Sequence, residues 1–171
     1  MGRLIFICFI FSSCVNQMKD INSIYSENIV HDFGNNIAIN YYLEGKLEFS
    51  IKAPKLEIIK NPDPKNIFSD GIYICVYNRD LDTIATISSD FALQDKIVDI
   101  VEARKNVVLK NNQQHHLNTE TLFWNKKTKE IYTDDFITLS TKDQIIMGFG
   151  FVSDQNFSTY TISNITGTLY L

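Results

Sequence analysis

Apolar and polar side chains alternate along much of this chain, and that period constrains the fold more than any other feature. In residues 47–53 an apolar side chain stands at every second position, with charged or hydroxyl side chains between. Neighbouring side chains of a β-strand point to opposite faces, so this pattern predicts a strand with one buried face and one solvated face. Pro54 then interrupts the run, as at a bend or an edge.

Short β-prone segments continue to the end of the chain. We predict strands over residues 71–77, 83–93, 97–103, 106–109, 117–124, 130–133, 136–141, 145–152, 158–162 and 167–171. Asn-rich and Pro-rich turns separate them, at 61–64, 78–80, 111–113 and 125–127. The sequence has many short strand segments and no long segment with apolar residues at helical spacing. This pattern predicts an all-β fold, namely an antiparallel sandwich, jelly roll or barrel.

Composition limits the classes of function. The chain has 171 residues, 44% of them apolar, and a net charge of -4. These values fit one globular domain and offer no basic surplus for nucleic acid. The short cluster Lys126, Lys127 and Lys129 is interpreted as a solvated loop in preference to a phosphate site.

The first residues resemble a secretory signal. Arg3 precedes an apolar run over 4–11 that is too short to span a bilayer. The run ends in Phe11-Ser12-Ser13-Cys14, which resembles a bacterial lipobox, with Phe11 where Leu is usual. We therefore expect a signal peptide over 1–13, lipid attachment at Cys14, a tether over 14–36 and a β-domain over 37–171. The alternative is an unlipidated signal in which the cysteine is accidental.

Signals for catalysis are weak. His115 and His116 are adjacent and would point to opposite faces of a strand, so a metal site using one of them with Glu120 lacks a recognised ligand spacing. Asp70 with Asp134 or Asp135 could be a carboxylate pair, but aspartates at turns more often cap loops. Cys75 lies in an apolar run and is interpreted as a core residue. We expect no enzymatic activity and no metal site.

One segment predicts a strongly apolar strand face. In residues 145–152 we expect Ile145, Met147, Phe149 and Phe151 to share one face, with glycines on the other. Such a strand could line an apolar interior, and an ordinary sandwich core would have the same pattern.

Several segments, in this order and spacing, carry a family resemblance over about three quarters of the chain. They are 47–56 (LEFSIKAPKL), 70–72 (DGI), 102–104 (EAR), 106–109 (NVVL), 117–125 (LNTETLFWN), 129–134 (KEIYTD), 148–151 (GFGF) and 153–158 (SDQNFS). Read together, they resemble the LptC family of lipopolysaccharide-export proteins, particularly its lipoprotein-type members. Lys105, Gln114 and Leu81 depart from the family pattern, because each stands in a turn where the family usually has glycine.

The resemblance implies an open, twisted antiparallel β-jellyroll whose apolar interior receives the acyl chains of lipopolysaccharide. It implies a periplasmic protein at the inner membrane, held by its lipid anchor, that takes lipid from an ABC transporter and passes it to an LptA-like bridge protein. No cofactor is implied. The interior candidates are Phe49, Ile51, Ile87, Phe91, Leu117, Ile137, Leu139, Phe149 and Phe151. The alternative is a β-sandwich lipoprotein that binds a protein or glycan partner.

The end of the chain is the expected partner edge. Its last β-prone segment carries no charged residue, and a terminal strand leaves backbone groups unpaired along one side. Such an edge can take another strand by β-augmentation, and the family resemblance points to the same end of the domain. The edge residues are Thr166, Gly167, Thr168, Leu169, Tyr170 and Leu171. An ordinary last strand that only closes the core is the competing interpretation.

Overall fold

The computed structural model describes residues 31–171, which form one antiparallel sheet of eleven strands. The strands are β1 (His31–Leu43), β2 (Lys46–Ile59), β3 (Lys65–Phe68), β4 (Ile72–Tyr77), β5 (Thr83–Ser89), β6 (Phe91–Asp95), β7 (Ile100–Asn111), β8 (His116–Asn125), β9 (Glu130–Ser140), β10 (Gln144–Asp154) and β11 (Tyr160–Tyr170). The prediction of an all-β, antiparallel fold is confirmed, and the sheet is consistent with a β-jellyroll.

The sheet is a simple meander in which two strands are broken. β3 and β4 lie along the same edge of β2, pairing with its end and its beginning respectively. β6 and β5 lie in the same way along one edge of β7. Counting each broken strand once, the order is β1, β2, β3/β4, β6/β5, β7, β8, β9, β10, β11. Each strand therefore lies beside its neighbours in sequence, which keeps every connection short.

A crease crosses the sheet near the middle of the strands. The chain breaks between β5 and β6 at Asp90, and the register shifts in β7 between Arg104 and Val107. Further shifts follow in β8 between residues 118 and 123 and in β10 between residues 149 and 151. Bulges and breaks bend strands, so a row of them at one level lets a single sheet fold over its own core.

Polar groups stabilise this crease. The Asp90 amide donates to the Lys105 carbonyl at 3.0 Å, and the Asn106 side-chain amide donates to the Asp90 carboxylate at 2.6 Å. Farther along, the Thr119 hydroxyl donates to the Phe136 carbonyl at 3.0 Å. These bonds give partners to groups that leave the regular ladder at the bend.

The predicted segments are merged in the structure. Residues 97–103 and 106–109 lie in β7 across its bulge, except that 97–99 belong to the preceding turn. Likewise 130–133 and 136–141 fall mainly in β9, and 158–162 and 167–171 mainly in β11. β1 was not predicted as a strand, and it begins at His31, within the segment expected to be a tether.

The predicted turns are confirmed at three asparagines. The Asn78 side-chain oxygen accepts from the amides of Asp80 and Asp82, each at 2.9 Å. Asn111 and Asn125 accept from amides two to four residues ahead in the same way. Asparagine favours such turns because its side chain replaces a backbone acceptor.

Candidate functional site

The apolar interior is the candidate site, and it is one cluster of side chains. Buried residues from β2 through β10 contribute to it, and Ile37 of β1 and Ile162 of β11 pack against it. Seven of the predicted interior residues lie in this cluster with at most 4% of their surface exposed: Phe49, Ile51, Ile87, Leu117, Ile137, Leu139 and Phe151. Their role in lipid binding stays a prediction.

Phe91 and Phe149, unlike the other seven candidates, lie outside the buried cluster, so the structure does not place these two in the interior. Phe149 is 44% exposed and stacks edge-on with Phe136, at 5.2 Å between ring centroids. The cause is Gly150, which adopts φ +71° at the register shift in β10, so Phe149 and Phe151 fall on opposite faces. A period of two holds only while the strand is regular.

Phe91 is turned outward by the crease at Asp90. It pairs in register with the exposed Arg104, whose guanidinium lies 5.9 Å from the Phe91 ring centroid. The next residue, Ala92, points inward and is fully buried. The break between β5 and β6 therefore shifts the inward face by one residue.

The folded sheet has two rows of turns, which we call its lips. The first lip consists of turns 44–45, 78–82, 112–115 and 141–143, and the second of turns 60–64, 96–99, 126–129 and 155–159. Strand ends beside the first lip contact the second lip at several places, and we call this line of contacts the seam. The seam closes the interior on its side.

Aromatic rings form one end of the seam. The Phe49 ring stacks on Tyr41, with centroids 4.6 Å apart, and meets Trp124 edge-on at 4.9 Å. The Lys126 ammonium lies 5.2 Å from the Tyr41 centroid and 5.4 Å from the Phe49 centroid. It also forms an ion pair with Asp99 at 2.8 Å. Cation–π attraction and ring packing together hold the strand ends of β1 and β2 against the second lip.

The turn between β10 and β11 forms the other end of the seam. Phe157, at its centre, is fully buried, and its carbonyl accepts from the Asn111 side-chain amide at 2.6 Å. The His115 ring packs edge-on against Phe157 and Tyr160, at 5.8 and 5.7 Å. His115 thus has a packing role in the seam.

The family resemblance implied an interior open along one side, whereas the lips are in contact here. Side chains such as Phe68, Trp124 and Ile137 fill the interior. The physical reason is that an empty apolar trough would leave surface in water or lose packing contacts, and both are unfavourable. A ligand that enters the interior has to part the seam and replace some of these contacts.

The expected partner edge lies on β11. This strand pairs with β10 along one side, and within the described residues its other side has no strand neighbour. Leu169, Tyr170 and Leu171 are 56, 78 and 72% exposed. Beside them, Thr166, Gly167 and Thr168 continue the strand, with Gly167 opposite Met147. β1 is the edge at the opposite end, paired with β2.

Sequence reasoning missed the seam. Tyr41 lies on β1, which was not predicted, and Lys126 was interpreted as solvated although its side chain is only 12% exposed. The alternation of Ile37, Ile39 and Tyr41 was the signal that would have predicted β1. No sequence signal pairs residue 41 with residue 126, because they meet only after the sheet folds over.

The weak catalytic candidates are separated in space. Asp70 lines a surface groove beside β1 and β4, whereas Asp134 and Asp135 line a different groove beside Phe136. Burial, and then the charge of Lys110, lower the pKa of His116. Within residues 31–171 no group of three or more His, Cys, Asp and Glu side chains is placed to hold a metal ion. The same residues contain no helix long and apolar enough to cross a membrane.

Comparison with protein families decides the classification. The family model described as lipopolysaccharide-assembly, LptC-related, matches residues 4–170, nearly the whole chain. The chain belongs to this family. LptC-family proteins are transport and binding components of lipopolysaccharide assembly, periplasmic and associated with the inner membrane. No curated protein matches the chain significantly. Cys14 and the predicted signal peptide lie outside the described residues.

Proposed function

We propose that this protein is the lipid-binding LptC component of lipopolysaccharide export. In this role it receives lipopolysaccharide from the inner-membrane ABC transporter and passes it to an LptA-like bridge protein. The observation that carries the proposal is the single apolar cluster that reaches every strand from β1 to β11. Moving an acyl chain through water is unfavourable by about 0.8 kcal/mol per CH₂, so a path that stays apolar along the whole sheet suits lipid transfer.

Lipid capture in the interior is tested by photo-crosslinking. A photoreactive side chain at Phe151 should capture lipopolysaccharide during transport, and so should one at Phe49 or Leu117. Phe149 is the matched control, because it is an aromatic residue two positions away on the outer face. Equal capture at Phe149 and Phe151 would contradict an interior path.

The hand-over edge is proposed to be β11. If the bridge protein adds a strand to residues 166–171, the two sheets join and the apolar path continues without a water gap. Deleting 166–171, or placing proline at Thr168, should abolish co-purification with the bridge protein while the domain still melts cooperatively. A truncated domain that binds the bridge protein normally, or fails to fold, would argue that β11 only closes the core.

The membrane anchor is proposed to be an acylated Cys14. Mass spectrometry of protein extracted from membranes should find a diacylglyceryl modification on a peptide beginning at Cys14. A mature chain that begins elsewhere, or an unmodified thiol, would rule the anchor out without affecting the proposal for the β-domain.

A second candidate function rests on the closed seam. A tightly packed interior is what a β-sandwich lipoprotein that binds a protein or glycan on its surface would have. The two functions differ in whether the seam opens. A cleavable thiol-reactive cross-linker between cysteines placed at Glu48 and Lys129, which form an ion pair across the seam, should block lipid capture in a conduit until the linker is cleaved, and should leave surface binding intact.

A further inference from the structure

A small cavity lies in the seam, where charged and aromatic side chains meet. Its volume is about 190 Å³, and its apolar wall includes Tyr41, Phe49 and Trp124. Lys126 and Lys129 line the same cavity. Phe49 and Trp124 also belong to the interior cluster, so this cavity borders the proposed lipid path directly.

Lys126 is an unusually enclosed cation. Only 12% of its side chain is exposed, and its ammonium is held by Asp99 and by the two rings described above. Its neighbour Lys127 differs, because its ammonium donates to the Ile97 carbonyl and it does not line the cavity. The turn therefore presents one lysine to the cavity and directs the next one away from it.

Lys129 joins the two lips electrostatically. It forms an ion pair with Glu48, which lies at the start of β2 beside the first lip. Gln155 of the second lip donates to the same Glu48 carboxylate at 3.3 Å. While the seam is closed, the Glu48 carboxylate is thus bound by both Lys129 and Gln155.

The cavity wall also holds a donor without a partner. Trp124 is only 2% exposed, so its indole N–H is buried, and this N–H has no acceptor among residues 31–171. A buried donor without an acceptor is unfavourable, and an acceptor that arrives when the seam parts would remove that penalty.

We infer that this cavity binds the phosphate of a phosphorylated lipid headgroup, and that the phosphate replaces Glu48 as the ion-pair partner of Lys129 as the lipid enters. This inference rests on the proposed function and adds a headgroup site to it. Acyl chains inside the sheet place their headgroup at a lip, because the headgroup stays in water. A phosphate monoester carries about -1.5 to -2 charges at neutral pH, more than one carboxylate, and so it competes well for both lysines.

The exchange couples binding to opening. When phosphate replaces Glu48 on Lys129, the seam loses its ion pair between the lips. The aromatic contacts and the Asn111–Phe157 hydrogen bond are then left to hold it. Release of the headgroup lets Glu48 return and the seam close over the emptied interior. The bound lipid thus itself breaks the ion pair that helps to keep the seam closed.

The test measures lipid binding by the full-length protein in detergent with three probes: bis-phosphorylated lipid A, the same lipid after phosphate removal, and inorganic phosphate. Lys126→Gln and Lys129→Gln should each weaken binding of the phosphorylated lipid about tenfold, as expected for loss of a charge-assisted hydrogen bond. Neither change should weaken binding of the dephosphorylated lipid, because that lipid carries no phosphate for the lysines to hold. Lys127→Gln is the matched control and should change binding less than twofold. Glu48→Gln should strengthen binding, because it removes the competing anion.

Trp124 provides a second readout, since it is the only tryptophan in the chain. Acrylamide quenching of Trp124 should rise in Glu48→Gln and when phosphorylated lipid A is added to the wild type. Equal weakening by Lys126→Gln, Lys127→Gln and Lys129→Gln would indicate bulk charge and overturn the site. Equal loss of both lipids, or inorganic phosphate binding as tightly as lipid A, would also overturn it. A wild-type protein that binds neither lipid would instead refute the proposed function.

Discussion

Phe49 and Trp124 meet edge-on with their ring centroids 4.9 Å apart, although they are 75 positions apart in the sequence and sit beside opposite lips of the sheet. Phe49 is 4% exposed and Trp124 is 2% exposed, so the contact is excluded from water. It joins β2 to β8, which are not neighbours in the sheet. This pair shows that the seam belongs to the core and is more than a surface contact.

Truncation of Trp124 tests the energetic weight of the seam. Trp124→Ala should lower the free energy of unfolding by about 3–5 kcal/mol, because it removes a large buried side chain. A double-mutant cycle with Phe49→Ala should give a coupling of about 0.5–1.5 kcal/mol. Urea unfolding followed by circular dichroism measures both. Ile97→Ala, at an exposed turn position, should stay within about 0.5 kcal/mol of wild type. Additive losses at Phe49 and Trp124 would show that the rings do not interact.

Replacing Lys105 by glycine should stabilise the domain. It adopts φ +65° at the bulge of β7, a conformation that is unfavourable by about 1–2 kcal/mol for a residue with Cβ. The greater backbone freedom of unfolded glycine offsets about 0.5–1 kcal/mol, so Lys105→Gly should stabilise the domain by roughly 0.5–1 kcal/mol. Lys110→Gly, in a regular part of the same strand, should instead destabilise it by a similar amount. Thermal melts of the two variants should shift in opposite directions; a shift in the same direction would contradict the strain argument. Leu81 and Gln114, at φ +68° and +67°, should behave like Lys105.

The Asp154 carboxylate should make the free energy of unfolding depend on pH in the acid range. Burial raises the pKa of its carboxyl, but hydrogen bonds from the amides and hydroxyls of Thr159 and Ser158 outweigh burial and leave the pKa below its ordinary 3.8. Because the folded-state pKa is the lower one, Asp154 stabilises the fold above pH 3.8, and that contribution is lost as the pH falls through the folded-state value. Asp154→Asn should therefore be less stable than wild type at neutral pH, and the difference should shrink in acid. A difference that stays constant down to about pH 2 would show that charge is not the cause.

Gly148 should be required for the pairing of β10 with β11. A Cβ at this position would lie 2.4 Å from the Asn164 carbonyl oxygen, a backbone atom that cannot move without shifting β11. Gly148→Ala should lower the free energy of unfolding by about 1–3 kcal/mol. Gly167→Ala is the matched control, because its nearest contact is the mobile end of the Met147 side chain at 3.1 Å. Hydrogen exchange should show faster exchange of β11 amides in Gly148→Ala only. Equal effects of the two changes would contradict this account.

Much of the fold could be predicted from residue patterns because the forces involved are local. Alternation at 47–53 determined the inward face of β2, and Asn78, Asn111 and Asn125 determined three turns, since each interaction spans only a few residues. The order and spacing of the segments from 47 to 158 were enough to predict the family. Lys105, Gln114 and Leu81 adopt positive φ although none of them is glycine, so at these three turns the backbone conformation does not follow from the residue type.

The tertiary structure alone decided which side chains line the interior and what closes it. The break at Asp90 and the bulge at Gly150 reverse the inward face, so the alternation that holds for Phe49 fails for Phe91 and Phe149. The pairing of Lys129 with Glu48 spans 81 residues and exists only because the creased sheet brings its two lips together. Local sequence determines a strand and its turns, whereas the curvature of the whole sheet, to which every bulge contributes, determines which strand ends meet.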